Sequence, residues 1–163
     1  MISAWCSRRF LSAAVAVALA MVAHAADYPT PEGRRLRDAL VQEATLPLKP
    51  QWRAMLLNLA ELHGRSVLPA RGHFPHPYET IGPGYQDGRV FGHIDLTHER
   101  LDTVRADPAH VRNQIRNELA GQQADGLIPG IVWFDDAGKP TWKNFKGFPP
   151  IWVVSAEAYV AVS

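Results

Sequence analysis

Proline and glycine placement restricts this chain more than any other feature. Thirteen prolines and twelve glycines divide it into short segments, because proline removes a backbone N–H and cannot sit inside a helix without breaking it. After a Pro-rich lead-in from Tyr28 to Pro31, Leu36, Leu40, Val41 and Ala44 recur at helical spacing and predict a helix over about Glu32 to Thr45. Pro47 and Pro50 end it. Trp52, Leu56, Leu59 and Ala60 mark a second helix, with Gly64 expected as its C-terminal cap. A third is expected over about Asp95 to Arg105, with Leu101 and Val104 inward. Asp107-Pro108 is an N-cap followed by proline at the first helical position. It starts a fourth helix reaching about Gln123, with Val111, Ile115 and Leu119 on its apolar stripe and Gly126 at its end. Pro149-Pro150 launches a fifth, in which Trp152, Ala156, Tyr159 and Val160 share a face.

Two stretches resist this pattern. Arg65 to Gly92 loses helical periodicity and carries four prolines and five glycines, so it reads as a long irregular loop. Its rings (Phe74, Tyr78, Tyr85, Phe91) argue against disorder, since disordered segments are poor in aromatics. Leu127 to Phe148 is a second irregular stretch, with a short hairpin expected to turn at Asp136-Ala137-Gly138-Lys139. The expectation is an all-α chain of helix pairs joined by long, aromatic-rich loops.

The first 25 residues have the three zones of a cleavable secretory signal. Arg8 and Arg9 supply the positive zone, and Phe10 to Val22 the apolar run. Ala23-His24-Ala25 offers small residues for a cut before Ala26. The apolar run is too short to span a bilayer core of ~30 Å. Ser7-Arg8-Arg9-Phe10-Leu11 also resembles a twin-arginine signal with compressed spacing. Export to the periplasm or the outside follows. Arg8 and Arg9 are the segment's only charged residues, so its removal leaves 15 basic against 16 acidic residues, a net charge of −1. No basic stripe serves nucleic acid or a membrane surface. Cys6 lies in the signal, so residues 26–163 can form neither disulfides nor thiolate metal sites. Their length suits one domain.

Several catalytic patterns are absent. Gly82-Pro83-Gly84 with Gly88 has a glycine one place late, and Pro83 lacks an N–H that a phosphate loop would use. His73 and His76 share a loop, His93 and His98 miss a common helix face, and no H-E-x-x-H occurs. These histidines read as structural or surface groups, and no metal or cofactor is expected. Ser66, Ser155 and Ser163 lie in no nucleophile elbow.

What remains is a concentration of aromatic, amide and charged groups in and beside the loops. Sugar C–H faces stack on rings, and hydroxyl pairs suit planar, bidentate partners. Phe74, Tyr78, Tyr85, Phe91, Trp133 and Trp142 are candidate platforms; Arg89, Asp95, Asn117 and Gln123 are candidate hydroxyl partners. The competing reading is that the rings pack the loops themselves.

The order of these residues resembles a family. Phe74 to Asp95 (FPHPYETIGPGYQDGRVFGHID), Arg112 to Gly130 (RNQIRNELAGQQADGLIPG) and Phe148 to Trp152 (FPPIW) are similar to the early part of six-hairpin (α/α)6 toroid glycosidases. Glycoside hydrolase family 63 is nearest, with trehalase and mannosylglycerate hydrolase enzymes beside it. The resemblance covers about Phe74 to Val160. It implies a partial toroid and an exported enzyme that hydrolyses α-glycosidic bonds with inversion, one carboxylic acid protonating the leaving oxygen and one carboxylate activating water. It further implies that Asp95 binds sugar hydroxyls in the innermost subsite, with Arg89 ahead of it and Asn117 as a helix contact. Trp133, a candidate platform by composition and not by the resemblance, completes the expected substrate-binding set.

The chain also departs from the pattern. The motif tryptophan is Ile94, and Phe148 stands where several relatives have glutamine. No residue matches either member of the catalytic pair, which the resemblance places beyond residue 163. Bland alternatives stand beside each candidate: Asp95 as a helix cap, Arg89 as a surface ion pair, Asn117 as a solvated polar residue, Asp125-Gly126 as turn chemistry. At the level of the whole chain the alternatives are a non-catalytic carbohydrate-binding module and a helical protein that docks on a second chain, one completing the toroid.

Overall fold

The computed structural model describes residues 28–45, 47–143 and 152–163, without the side chains of residues 93, 94, 142, 143 and 152. The expected signal segment, the Phe148-Pro149-Pro150 motif and the Trp142 platform lie outside what is described. Thr30 caps the first helix, its hydroxyl oxygen accepting from the Gly33 N–H at 3.0 Å, and Pro31 takes the first helical position. This helix, α1 (Pro31–Glu43), buries Leu36 and runs beside α2 (Pro50–Ser66).

The two helices cross at glycines. A Cβ on Gly33 would stand 2.2 Å from the Gly64 carbonyl oxygen, and one on Gly64 would meet the Gly33 oxygen at 2.9 Å. Gly64 is therefore a point of contact and not the cap the sequence suggests; α2 continues to Ser66. Its last turn feeds β1 (Val67–Leu68), which pairs antiparallel with β2 (Tyr78–Glu79) in the register Val67 with Glu79.

A 3₁₀ turn (Tyr85–Gly88) leads to β3 (Val90–Gly92) and α3 (His93–Thr103). Asp107 caps α4 (Pro108–Ala120), accepting from the His110 N–H at 3.0 Å. The hairpin β4 (Ile131–Phe134) and β5 (Pro140–Lys143) joins β3 in a three-stranded antiparallel sheet of order β3-β4-β5. α5 (Trp152–Val162) packs on α3 and α4. Among the described residues no helix is long and apolar enough to cross a membrane.

The architecture is thus helical with two small sheets, and the all-α expectation is corrected. Both sheets arise inside the stretches read as irregular. Their strands are two to four residues long, too short to leave an alternating pattern in sequence. The hairpin turn falls where expected, with the Asp135 N–H donating to the Lys139 carbonyl at 3.0 Å.

Phe74, Tyr78, Phe91 and Phe134 meet beneath the sheets with Leu96 and Val132. Phe74 is the hub, its centroid 4.8 Å from Phe91 and 5.1 Å from Phe134 in edge-on geometry. Three of the expected sugar platforms are therefore core, and Tyr85 alone of the loop rings is exposed. The apolar stripes hold only in part. Val104 and Val111 are buried as expected, but Leu101 and Leu119 face solvent, and Val160 is 72% exposed while Ser155 on the same helix is buried. In α4 the buried face is His110, Val111, Gln114, Asn117 and Glu118. It is mostly polar, so hydrophobic periodicity set the wrong rotation for this helix.

Candidate functional site

The polar face of α4 is one wall of a buried cluster of carboxylates and imidazoles. Each member is placed by a different element. Glu32 sits in the first turn of α1, where the helix N-terminus favours an anion. His63 belongs to the last turn of α2, Glu79 to β2, Glu99 to the middle of α3 and His110 to the first turn of α4.

His110 is fully buried and bridges two of these carboxylates. Its Nδ1 lies 2.9 Å from Glu32 Oε1 and its Nε2 3.1 Å from Glu79 Oε2. The other Glu79 oxygen lies 2.7 Å from His63 Nδ1. The Asn113 side-chain amide donates to Glu32 Oε2 at 3.3 Å. A continuous path, Asn113–Glu32–His110–Glu79–His63, therefore joins α4, α1, β2 and α2.

Burial and pairing pull in opposite directions here, and pairing prevails. Burial alone would lower the His110 value, but hydrogen bonds to Glu32 and Glu79 and the charges of both hold it up at about 9. Burial would raise Glu79, but hydrogen bonds from His110 and His63 bring it down to about 2. Glu99 has no such help. Burial, followed by the charges of Glu79 and Asp95, pushes its carboxyl up to about 8. Among the described residues its Oε2 is buried and accepts no hydrogen bond.

A second ionic pair lies deeper along α3 and α4. Arg100 Nη1 stands 2.7 Å from Glu118 Oε2, with both side chains 1% exposed. The Arg100 guanidinium carbon also lies 5.6 Å above the Phe91 ring. Gln114 and Asn117 fix the loop that precedes β2. Gln114 Oε1 accepts from the Glu79 N–H at 3.1 Å, and its amide donates to the Pro77 carbonyl at 3.0 Å.

The residues picked from sequence lie mostly around this cluster. Asn117 is fully buried; its Oδ1 accepts from the His76 N–H at 3.1 Å, and its amide donates to the His76 and Pro77 carbonyls at 3.2 Å. Its side chain clamps a loop, where the sequence left open a solvated residue or a sugar contact. Arg89 pairs with Asp136 at the hairpin, 2.6 Å apart, with side chains 42% and 85% exposed. Its carbonyl accepts from the Phe134 N–H at 2.8 Å. Trp133 sits on the same sheet, half-buried and opposite Val90 in register. The structure thus gathers Arg89 and Trp133 at one place.

Asp95 is separate from them, beyond the far end of β3. The helix begins at His93 with Gly92 as N-cap and no side-chain cap bond, so Asp95 is a third helical position and not the cap. Its carboxylate is exposed, 3.5 Å from where a Gly92 Cβ would stand. One turn on, at i+4, lies Glu99. Asp95 therefore marks the solvent side of the buried cluster. An open cleft of about 440 Å³ elsewhere is lined by Tyr28, Thr30, Pro31, Arg34, Arg35 and Asp38, and contains none of the sequence candidates.

Sequence reading missed Glu32, His63, Glu79, Glu99 and His110 altogether. No local spacing connects them, because neighbouring members of the path are up to 81 residues apart. The available signal was His110, Gln114 and Asn117 at helical spacing, a polar stripe that resembles a solvated face. Comparison with protein-family models, with curated proteins and with solved structures finds no match for this chain.

Proposed function

We propose that this chain is the early part of an exported (α/α)6 glycoside hydrolase and contributes substrate contacts, not the catalytic acid and base. Asp95 and Arg89 are the contacts, with Trp133, on the strand paired with β3, as the ring platform; Asn117 is left out because its amide is committed to the 76–77 backbone. One observation carries the reading. The Asp95 carboxylate stands exposed on the first turn of α3, while the polar groups of the adjoining α4 face are buried. A carboxylate held on a helix and open to solvent can accept hydrogen bonds from a pair of sugar hydroxyls.

A second reading, docking on another chain, is favoured by the stripe Trp52, Met55, Leu59 and Leu62. These residues lie three, four and three apart on α2 and are all exposed.

One preparation tests both. In calorimetry against α-linked oligosaccharides, the chain binds without turnover of an aryl α-glucoside, and Asp95→Asn weakens binding at least tenfold with an unchanged circular-dichroism spectrum. Turnover, or equal binding by the variant, overturns the first reading. Light scattering that stays monomeric with rising concentration counts against self-docking through the α2 stripe.

A further inference from the structure

The buried cluster lacks a partner at one point, and that point has the geometry of a cation site. His63, Glu79 and Glu99 each offer one ligand atom, and these atoms all lie within 4.8 Å of one another. His63 and Glu79 are almost wholly buried, and the Glu99 Oε2 is buried without a hydrogen bond among the described residues. A buried carboxylate oxygen facing a second carboxylate calls for a compensating positive charge or a proton.

We propose that His63, Glu79 and Glu99 bind a divalent first-row transition cation, with zinc(II) the best match to one imidazole and two carboxylates. The site goes beyond the glycoside-hydrolase reading and does not depend on it. Three protein ligands leave a fourth position for water.

The existing hydrogen bond suits this exchange. His63 Nδ1 and Glu79 Oε1 are 2.7 Å apart. Two ligands of one tetrahedral zinc, bonded at ~2.0–2.1 Å, stand roughly 3.3 Å apart, so the ion replaces the shared proton with an opening of about half an ångström. Glu99 is the ligand free to close in, since no hydrogen bond restrains its Oε2. Glu79 keeps its second oxygen on His110 Nε2, at 3.1 Å, and His110 in turn is held by Glu32 at 2.9 Å. A carboxylate–histidine pair behind a ligand fixes its orientation and raises its basicity. Calcium and magnesium prefer six or more oxygen ligands, which this nitrogen-containing set of three does not supply.

The test uses the full chain, purified without a histidine tag and stripped with chelator, with the metal ions themselves as probes. Titration with Zn²⁺ gives one saturable site per chain and a raised melting temperature, while millimolar Ca²⁺ and Mg²⁺ do neither. Glu99→Gln, which keeps the side chain's shape, weakens zinc binding more than a hundredfold. Glu32→Gln, which touches only the outer relay, weakens it about 10–100-fold. His98→Gln, at an exposed histidine, changes nothing. Independently of any variant, Co²⁺-loaded wild-type protein shows hyperfine-shifted proton signals from a single histidine ring. Absence of a saturable site, undiminished binding by a folded Glu99→Gln variant, or shifted signals from no ring or from several would each overturn the proposal.

Discussion

Tyr78 and Glu79 are adjacent on β2, both about 1% exposed, yet they enter different interiors. Successive side chains of a strand point to opposite faces. Tyr78 joins Phe74, Phe91 and Phe134, and Glu79 joins His63 and His110. The aromatic interior is held by contact area and ring geometry, which are non-directional enough to tolerate change. The charged interior is held by pairing, and loss of one partner strands the other in a medium that solvates it poorly. Arg100 touches both, with its guanidinium over the Phe91 ring and its Nη1 on Glu118.

The largest effect is expected where the two interiors meet. Arg100→Met leaves the buried Glu118 carboxylate without its cation and costs about 3–5 kcal/mol. Adding Glu118→Leu to it recovers most of that loss, because a buried pair exchanged for apolar groups of similar volume is close to neutral. Urea unfolding of the two single variants and the double variant measures the coupling. Losses that simply add would erase the distinction drawn between the interiors.

Next in size is the response to pH, which the charged interior alone should set. His110 is raised from 6.5 to about 9, so its protonated form belongs to the folded state. That contribution is complete below pH 6.5 and is lost as pH rises through 9. Glu99, raised from 4.5 to about 8, acts in the same direction between those values. Glu79, lowered from 4.5 to about 2, contributes above pH 4.5 and loses its contribution as pH falls towards 2. Metal-free protein should therefore be most stable near pH 4.5, declining first as Glu99 ionises and more steeply above about pH 6.5 as His110 also loses its proton, with a loss on the order of 5 kcal/mol by pH 9. Urea midpoints measured across this range test it, and a flat alkaline limb would contradict the charged bridge at His110.

The smallest effect belongs to the aromatic side. The Tyr78 hydroxyl donates to the Gly88 carbonyl. Tyr78→Phe removes that bond and keeps the ring, for a loss of about 1 kcal/mol in thermal or urea unfolding. A loss as large as that of Arg100→Met would show that the aromatic interior also depends on its polar handle.

Much of the helical frame was legible in the chain. Asp107-Pro108 marks a start by chemistry confined to a few residues, and its cap is present; the first helix, expected from about Glu32, begins at Pro31 with a Thr30 cap that the sequence reading did not name. The hairpin was legible for the same reason, since its turn is made by the four residues that name it. The site was less so. Asp95 and Arg89 are proposed contacts through the order of motifs, whereas Asn117 looked like a ligand because an amide on a helix carries no mark of burial. Glu32 and Glu79, each bonded to a different nitrogen of His110, gave no signal, since each looks like an ordinary surface acid in its own segment.

The sequence by itself determined where helices start, which segments bend and which residues can carry charge, because caps, prolines and turns act within a few positions. Tertiary structure decided the rotation of each helix and the partners of each buried charge. Those depend on Gly33 against Gly64 and on His110 between Glu32 and Glu79. Such contacts join distant positions, and their free energy exists only when both partners have left water together.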